Sequence, residues 1–280
     1  MNVPFCIWLW WLRIWHGDRI RVMFHEVCAP FVWWPLAWNL SAFIHRAMAF
    51  ILVRAATQID ISTPIWLRVL RGCGLGRRSA NVVPIPSTIP YEDNSIAVEA
   101  ARKSILKNER EAKIVGHFGT YGASITELLI PIFAGLLDAE PRVRVVLIGG
   151  GGEAFRQQLA ARYPQFDSRI TATGRLSSVE ISIRLQACDA MVQPYPDGAS
   201  GRRTSLTAGI ANGIPTVTTT GPATETFWRE SGLVALVPVG DTAAFIDATR
   251  KVMQTNHRES LRAFYRTQFD VTIAIRRSIE

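Results

Sequence analysis

Two adjacent arginines, Arg202 and Arg203, stand directly before Thr204 and Ser205, which open a helical stretch. The loop leading into them is rich in Pro, Gly and Ser and carries Asp197, Gly198 and Ser200. Upstream, Ala190 to Gln193 reads as a strand; downstream, the helical stretch ends at Gly213 and a second, β-branched strand follows. Backbone N–H groups at a helix start, with the positive end of its dipole, favour phosphate oxygens, and neighbouring guanidiniums can grip those oxygens in pairs. The segment therefore reads as an anion site. It fits equally well an ordinary β-loop-α-β connection with both arginines solvated, because parallel strands need such crossovers in any case. A second candidate is His25. It follows a buried strand, Arg19 to Phe24, and so lies at a strand's carboxyl end, where open α/β sheets place their sites. Glu26 beside it is a weaker candidate, and a lone histidine is also commonly structural.

A length of 280 residues suits one large or two modest domains, and 48% hydrophobic residues support packed cores. The formal charge of +8 is spread along the chain rather than gathered in a tail, which argues against nucleic acid as a partner. Small anionic ligands or an anionic lipid surface account for it as well. Cys6, Cys28, Cys73 and Cys188 are scattered without CxxC spacing and offer neither a disulfide framework nor a zinc site. A reducing cytoplasm, including the inner face of its membrane, is the expected location. Phe5 to Trp15 (FCIWLWWLRIW) is interrupted by Arg13 and is shorter than the roughly 20 apolar residues of a membrane span, so it reads as a helix.

The elements that must position these residues are α/β in pattern. Leu36 to Ala56 has apolar residues at helical spacing, Gln58 to Ser62 is a short strand, and Ser62-Thr63-Pro64 starts another helix by capping logic. Trp33, Trp34 and Trp38 form either a membrane-facing or partner-facing patch or part of the core, the latter being the commoner use of Trp. Gly72, Gly74 and Gly76 follow no clear strand and are rejected as a nucleotide loop. Val82 to Pro90, with three prolines, marks the hinge between domains 1–86 and 87–280. Beyond it come strand Ile114 to Phe118, the tight loop Gly119-Thr120-Tyr121-Gly122 and helix Ile125 to Leu137. Strand Val143 to Ile148 ends in Gly149 to Gly152, which are either a plain turn or a nucleotide contact. Strand Ile170 to Thr173 and helix Val179 to Gln186 complete an alternation that parallel connections require.

The ordered series resembles the retaining, GT-B fold glycosyltransferases of the family 4 type over roughly His25 to Met253. In that family a helix ending in small-x-Gly-x-Pro-Val-Val follows the donor loop, and Ala211, Asn212, Gly213, Ile214, Pro215, Thr216 and Val217 match this ending. The resemblance implies two Rossmann-like doubly wound domains, the first incomplete here, because the chain opens in what looks like the later part of such a domain. It implies hexosyl transfer, with retention, from a nucleoside diphosphate sugar to a glycan or lipid-linked hydroxyl acceptor, with no cofactor and no metal. His25 matches the histidine that faces the transferred sugar, and Gly119, Thr120, Gly122, Gly198, Ser200, Arg202, Arg203, Thr204 and Ser205 fall in the donor-binding loops. The sequence departs from the pattern in two places. The loop Gly119 to Gly122 lacks the usual Arg and Lys, a role Arg202 and Arg203 can take over. Ser200 and Ala208 stand where two glutamates are expected, leaving Asp197 as the carboxylate available to the sugar and nothing for the ribose. Two other readings stay open: an inactive fragment that binds a nucleotide sugar or a partner, and a Rossmann-like dehydrogenase or epimerase, which the missing GxGxxG argues against.

Overall fold

The computed structural model describes residues 2–29, 31, 33, 37–107, 109 and 111–279. The chain divides into two compact units, Met1–Ile85 with Val271–Glu280, and Pro86–Asp270. The final residues thus group with the amino-terminal unit rather than with the domain that begins near residue 87.

In the amino-terminal unit, helix α1 (Val3–Trp15) precedes strand β1 (Arg21–Phe24), helix α2 (Ala37–Ala55) and strand β2 (Gln58–Ile61). Helix α3 (Ile65–Leu70), a π-helical turn Arg71–Leu75 and the two-residue strand β3 (Asn81–Val82) follow. The strands form a parallel sheet in the order β1-β2-β3, with Val22 opposite Ile59 and Phe24 opposite Ile61. Its core is Phe24, Val53, Ile59, Ile61, Leu70 and Leu75. Helix α3 starts at Ile65, as the Ser-Thr-Pro signal suggests, but without a side-chain cap. The Ser62 hydroxyl is drawn instead to the His25 carbonyl at 2.9 Å, tying the end of β2 to the end of β1. The three glycines at 72, 74 and 76 lie in and after the π-helical turn, behind a helix rather than a strand. Trp33 is exposed; Trp34 and Leu36 lie outside the described residues, as does the side chain of Trp38.

The carboxyl-terminal unit contains helix α4 (Ser95–Leu106), strand β4 (Lys113–Phe118), helix α5 (Ala123–Ala139), strand β5 (Val143–Ile148), helix α6 (Gly152–Arg162) and strand β6 (Ile170–Ala172). Helix α7 (Ser178–Gln186), strand β7 (Ala190–Gln193), helix α8 (Thr204–Ala211), strand β8 (Thr216–Thr220), helix α9 (Thr226–Ser231) and strand β9 (Ala235–Pro238) come next. Helices α10 (Thr242–Val252) and α11 (Arg258–Gln268) complete the unit; α12 (Val271–Ile279) belongs to the other one. All six strands are parallel in the order β6-β5-β4-β7-β8-β9. This is a doubly wound sheet in which the order of strand addition reverses between β4 and β7. Strand β5 is buried along its whole length, as expected of a central parallel strand covered by helices on both faces. One apolar cluster, around Phe133, Leu136 and Phe155, covers one face, and another, around Ile105, Ile114 and Met191, covers the other. Gly116 lies where these layers are tightest: an added Cβ would come within 2.7 Å of the Cys188 sulfur.

Candidate functional site

In an open parallel sheet, ligands bind outside the carboxyl ends of the strands at the point where the strand order reverses. Here that point lies between the loops after β4 and β7. Gly119, Thr120 and Gly122 lie in the first, and Asp197, Gly198, Ser200, Arg202 and Arg203 in the second, with Thr204 and Ser205 opening α8. The two strand ends are tied together: Gln193 Nε2 donates to the Phe118 carbonyl at 3.0 Å, and His117 Nδ1 lies 2.7 Å from the Val192 carbonyl. His25 belongs to the amino-terminal unit. Its side chain is exposed at the end of β1, and its carbonyl accepts from Ser62 Oγ and, at 3.0 Å, from Trp66 Nε1.

Helix starts in this unit fall into two groups. Asn94 caps α4, Asp241 caps α10, and a full Ser177–Glu180 capping box closes α7. In contrast α5, α6 and α8, which follow β4, β5 and β7, begin without a bond from the N-cap side chain, as do α9 and α11. In the first turn of α8 the Leu206 N–H bonds to the Tyr195 hydroxyl, and the dipoles of α5 and α8 favour negative charge at the reversal point.

The arginines are held in place by Asp197. Arg202 Nη2 lies 2.6 Å from Asp197 Oδ2, and Arg203 pairs with Asp197 Oδ1. Burial alone would raise the Asp197 carboxyl, but the Arg203 and Arg202 guanidiniums outweigh it and hold it below its ordinary value. The Arg203 guanidinium also lies over the Tyr195 ring, 4.6 Å from its centroid. Tyr195 in turn shares a 2.8 Å hydrogen bond with Ser205 Oγ, and burial pushes its phenol up to about 12. Asp197 is thus engaged by the two cations it anchors. Ser200 Oγ and Arg203 Nε in this loop are buried without a hydrogen-bond partner.

The loop is fastened to β8 by the threonines of that strand. Thr218 Oγ1 donates to the Gln193 carbonyl and Thr219 Oγ1 to the Tyr195 carbonyl, both at 2.6 Å, while Tyr195 N–H donates back to Thr219 Oγ1. Gly198 has φ +90, and a Cβ there would collide with the backbone nitrogen of Gly221. Gly198→Ala is therefore expected to destabilise the protein by roughly 2 kcal/mol, since a side chain there meets both left-handed strain and fixed backbone. Chemical denaturation is the check; an unchanged midpoint would show that the loop relaxes freely.

Four residues escaped the sequence reading. The buried Glu225 carboxylate accepts the Gly201 N–H on both oxygens at 3.1 Å, placing an acid directly under the arginine loop. Tyr121 takes a left-handed conformation, φ 58, uncommon for a non-glycine residue, and its hydroxyl donates towards the His117 and Ile148 carbonyls. It thereby anchors the base-free loop after β4. Arg175 is exposed and packs against Gly150, with 3.1 Å from its Cγ to a Cβ built there, so a cation borders the glycine run after β5. His117 is buried, and burial lowers its imidazole to about 4. The Gly149 to Gly152 run itself is closely packed: a Cβ at Gly149 would strike the Gly119 carbonyl, and one at Gly151 would come within 2.7 Å of the Thr120 carbonyl. These glycines let the loops after β4 and β5 touch.

Comparison with known proteins agrees with this geometry. No curated protein matches the chain by sequence. Among solved structures, sucrose-phosphate synthase from Thermosynechococcus elongatus superposes with a TM-score of 0.72 at 16% identity, covering 96% of this chain and 68% of that one. WaaG, a glycosyltransferase involved in lipopolysaccharide biosynthesis, gives 0.68 at 15% identity, covering 98% and 81%. The HepE protein of Anabaena in complex with UDP-glucose also gives 0.68, at 16% identity, covering 98% and 74%. At these identities the likeness establishes the fold, that of GT-B glycosyltransferases with Rossmann-like α/β units. The sequence model for glycosyl transferases group 1 matches residues 112–255, just over half of the chain and the stretch that carries the reversal point and both of its loops. The chain belongs to the group 1 glycosyl transferases and is an enzyme of the glycosyltransferase class.

Proposed function

We propose that the carboxyl-terminal unit binds a nucleoside diphosphate sugar, and that the protein transfers the hexosyl group to a hydroxyl of a glycan or lipid-linked acceptor with retention, in the manner of the family 4 type. The observation that carries this reading is the uncapped start of α8 beside Arg202 and Arg203 at the reversal point of the sheet. In the reaction the anomeric C–O bond to the diphosphate breaks, a new C–O bond forms to the acceptor oxygen, and the acceptor's proton is released. Charge grows on the leaving diphosphate, so N–H groups and guanidiniums fixed in advance stabilise the transition state more than the ground state. Asp197 acts by holding the two guanidiniums ready. No resident metal or cofactor is required. UDP is the first nucleotide to try, because HepE is solved with UDP-glucose.

A second reading, binding of the donor without transfer, is favoured by Ser200 and the buried Ala208 at the positions where the family pattern has glutamates. The two are separated by incubating the protein with UDP-hexoses and hydroxyl acceptors, following UDP release, and reading the anomeric configuration of the product by proton NMR. Release with retained configuration supports transfer; inversion overturns the family 4 assignment. Binding without release across the acceptors supports the second reading, and absence of nucleotide binding overturns both.

His25 is assigned to the transferred sugar. His25→Ala is expected to lower turnover about fivefold or more while leaving UDP affinity nearly unchanged, the pattern of a contact made as the sugar moves rather than one made to the nucleotide. A parallel fall in thermal stability with normal specific activity of the folded fraction would return His25 to a structural role.

A further inference from the structure

We infer that α1 is an interfacial helix by which the amino-terminal unit docks on an anionic lipid bilayer. An α-helix advances 100° per residue, and the thirteen residues of α1 are apolar around nearly the whole circumference, with Arg13 the one charge. A helix of that kind is normally enclosed on all sides. Within α1 only Cys6 is buried, with Val3, Leu9 and Leu12 half-buried along one stripe. The opposite side is aromatic and open: Trp8 is 50% exposed, Trp15 is 74% exposed, and Trp11 lies on the same side. The patch extends onto α2, against which α1 packs, where Leu40, Phe43 and Phe50 recur at helical spacing and are exposed.

The chemistry of the patch selects its occupant. Trp combines a broad apolar ring with one N–H donor, which suits the boundary between acyl chains and headgroups. No described helix is long and apolar enough to cross a membrane, so α1 would lie in the interface plane rather than span it. Charge points the same way. Residues 1–85 hold nine arginines against three acids, Asp18, Glu26 and Asp60, so most of the chain's net charge of +8 sits in this part. Arg13 and Arg19 are exposed within and just beyond α1, where they meet anionic headgroups as the tryptophans enter. This inference does not depend on the donor site.

The test uses the full chain and sedimentation with vesicles of phosphatidylcholine alone or mixed with a minority of phosphatidylglycerol. The expected result is binding at least about tenfold stronger to the anionic vesicles, weakened by salt. The combined variant Trp8→Gln, Trp11→Gln, Trp15→Gln should lose that binding with an unchanged circular dichroism spectrum, since all three side chains are exposed. Tryptophan fluorescence of the unaltered protein, quenched by brominated acyl chains in the same vesicles, gives a reading that does not rely on a variant. Failure of the native chain to bind anionic vesicles, or native-like binding by the triple variant, would overturn the assignment. So would a native dimer, detected by light scattering, that the triple variant converts to a monomer, because the patch would then belong to a second copy of the chain.

Discussion

Arg203→Ala is expected to weaken the binding of UDP roughly ten- to a hundredfold, the largest loss expected from any single side chain of the donor loop. A hydrogen bond to a charged group contributes about 1.5 to 3 kcal/mol, and each 1.4 kcal/mol is tenfold in affinity. Arg203 is placed to deliver that contribution by three fixed contacts: its ion pair with Asp197, its stacking over Tyr195, and its position as the residue preceding the first turn of α8. Its guanidinium is preorganised, so little side-chain freedom remains to be lost when a diphosphate arrives. Arg203→Lys keeps the charge but not the planar fork and should fall between the two. Calorimetric titration of UDP, with ADP and GDP in parallel, measures all three proteins. Unchanged affinity in Arg203→Ala would mean that Asp197 and the arginines only close the loop upon itself, and the anion would have to be sought at α5 or α6 instead.

The part of this site that could be read from sequence is the part written in local chemistry. Residues Pro194 to Arg203 break two apolar runs with Pro, Gly and Ser, so the strand, the loop and the helix start at Thr204 follow from neighbours alone. The long parallel strands were legible for the same reason, since Val143–Ile148 is apolar at every position but Arg144. What escaped depends on chain crossings. Glu225 lies twenty-four residues from the Gly201 amide it receives, and only the passage through β8 brings them together. Arg175 reaches the glycine run only because β6 pairs with β5. Tyr121 gave no signal because a non-glycine residue in left-handed conformation has no marker in its type; its hydroxyl bonds are what hold it there. Strand β9 went unread because it is a short edge strand whose four residues show no alternation of burial. The anchoring of Asp197 by both arginines was equally hidden. Sequence places three charged groups within seven residues, but only the turn at Gly198 decides that the acid faces the bases.

Acidification is expected to weaken the carboxyl-terminal unit, with a contribution from His117 that a single substitution can isolate. Its imidazole sits inside the sheet on β4, with Nδ1 2.7 Å from the Val192 carbonyl on the neighbouring β7 and Nε2 buried without a partner. The neutral ring satisfies this environment by donating Nδ1–H to the carbonyl. A second proton on Nε2 would be a charge in an apolar interior with nothing to receive it, and burial accordingly lowers the group to about 4. In the unfolded chain the same ring takes up its proton near 6.5. Between these values the unfolded state binds more protons than the folded one, so the contribution of His117 is fully present above 6.5 and declines as pH falls towards 4. A separation of this size corresponds to about 3 kcal/mol. The loss would fall where it matters most, because the His117–Val192 bond joins the ends of β4 and β7 from which both donor loops spring. His117→Asn keeps an N–H donor near the Nδ1 position and removes the titration. Urea unfolding at neutral pH and near pH 4 should show the native protein losing roughly 3 kcal/mol more than the variant, the carboxylates being common to both. Equal losses would mean that the ring finds water or a carbonyl for its second proton, and the acid sensitivity of the sheet would then have to come from Asp197, whose lowered carboxyl also loses its pairing as pH falls.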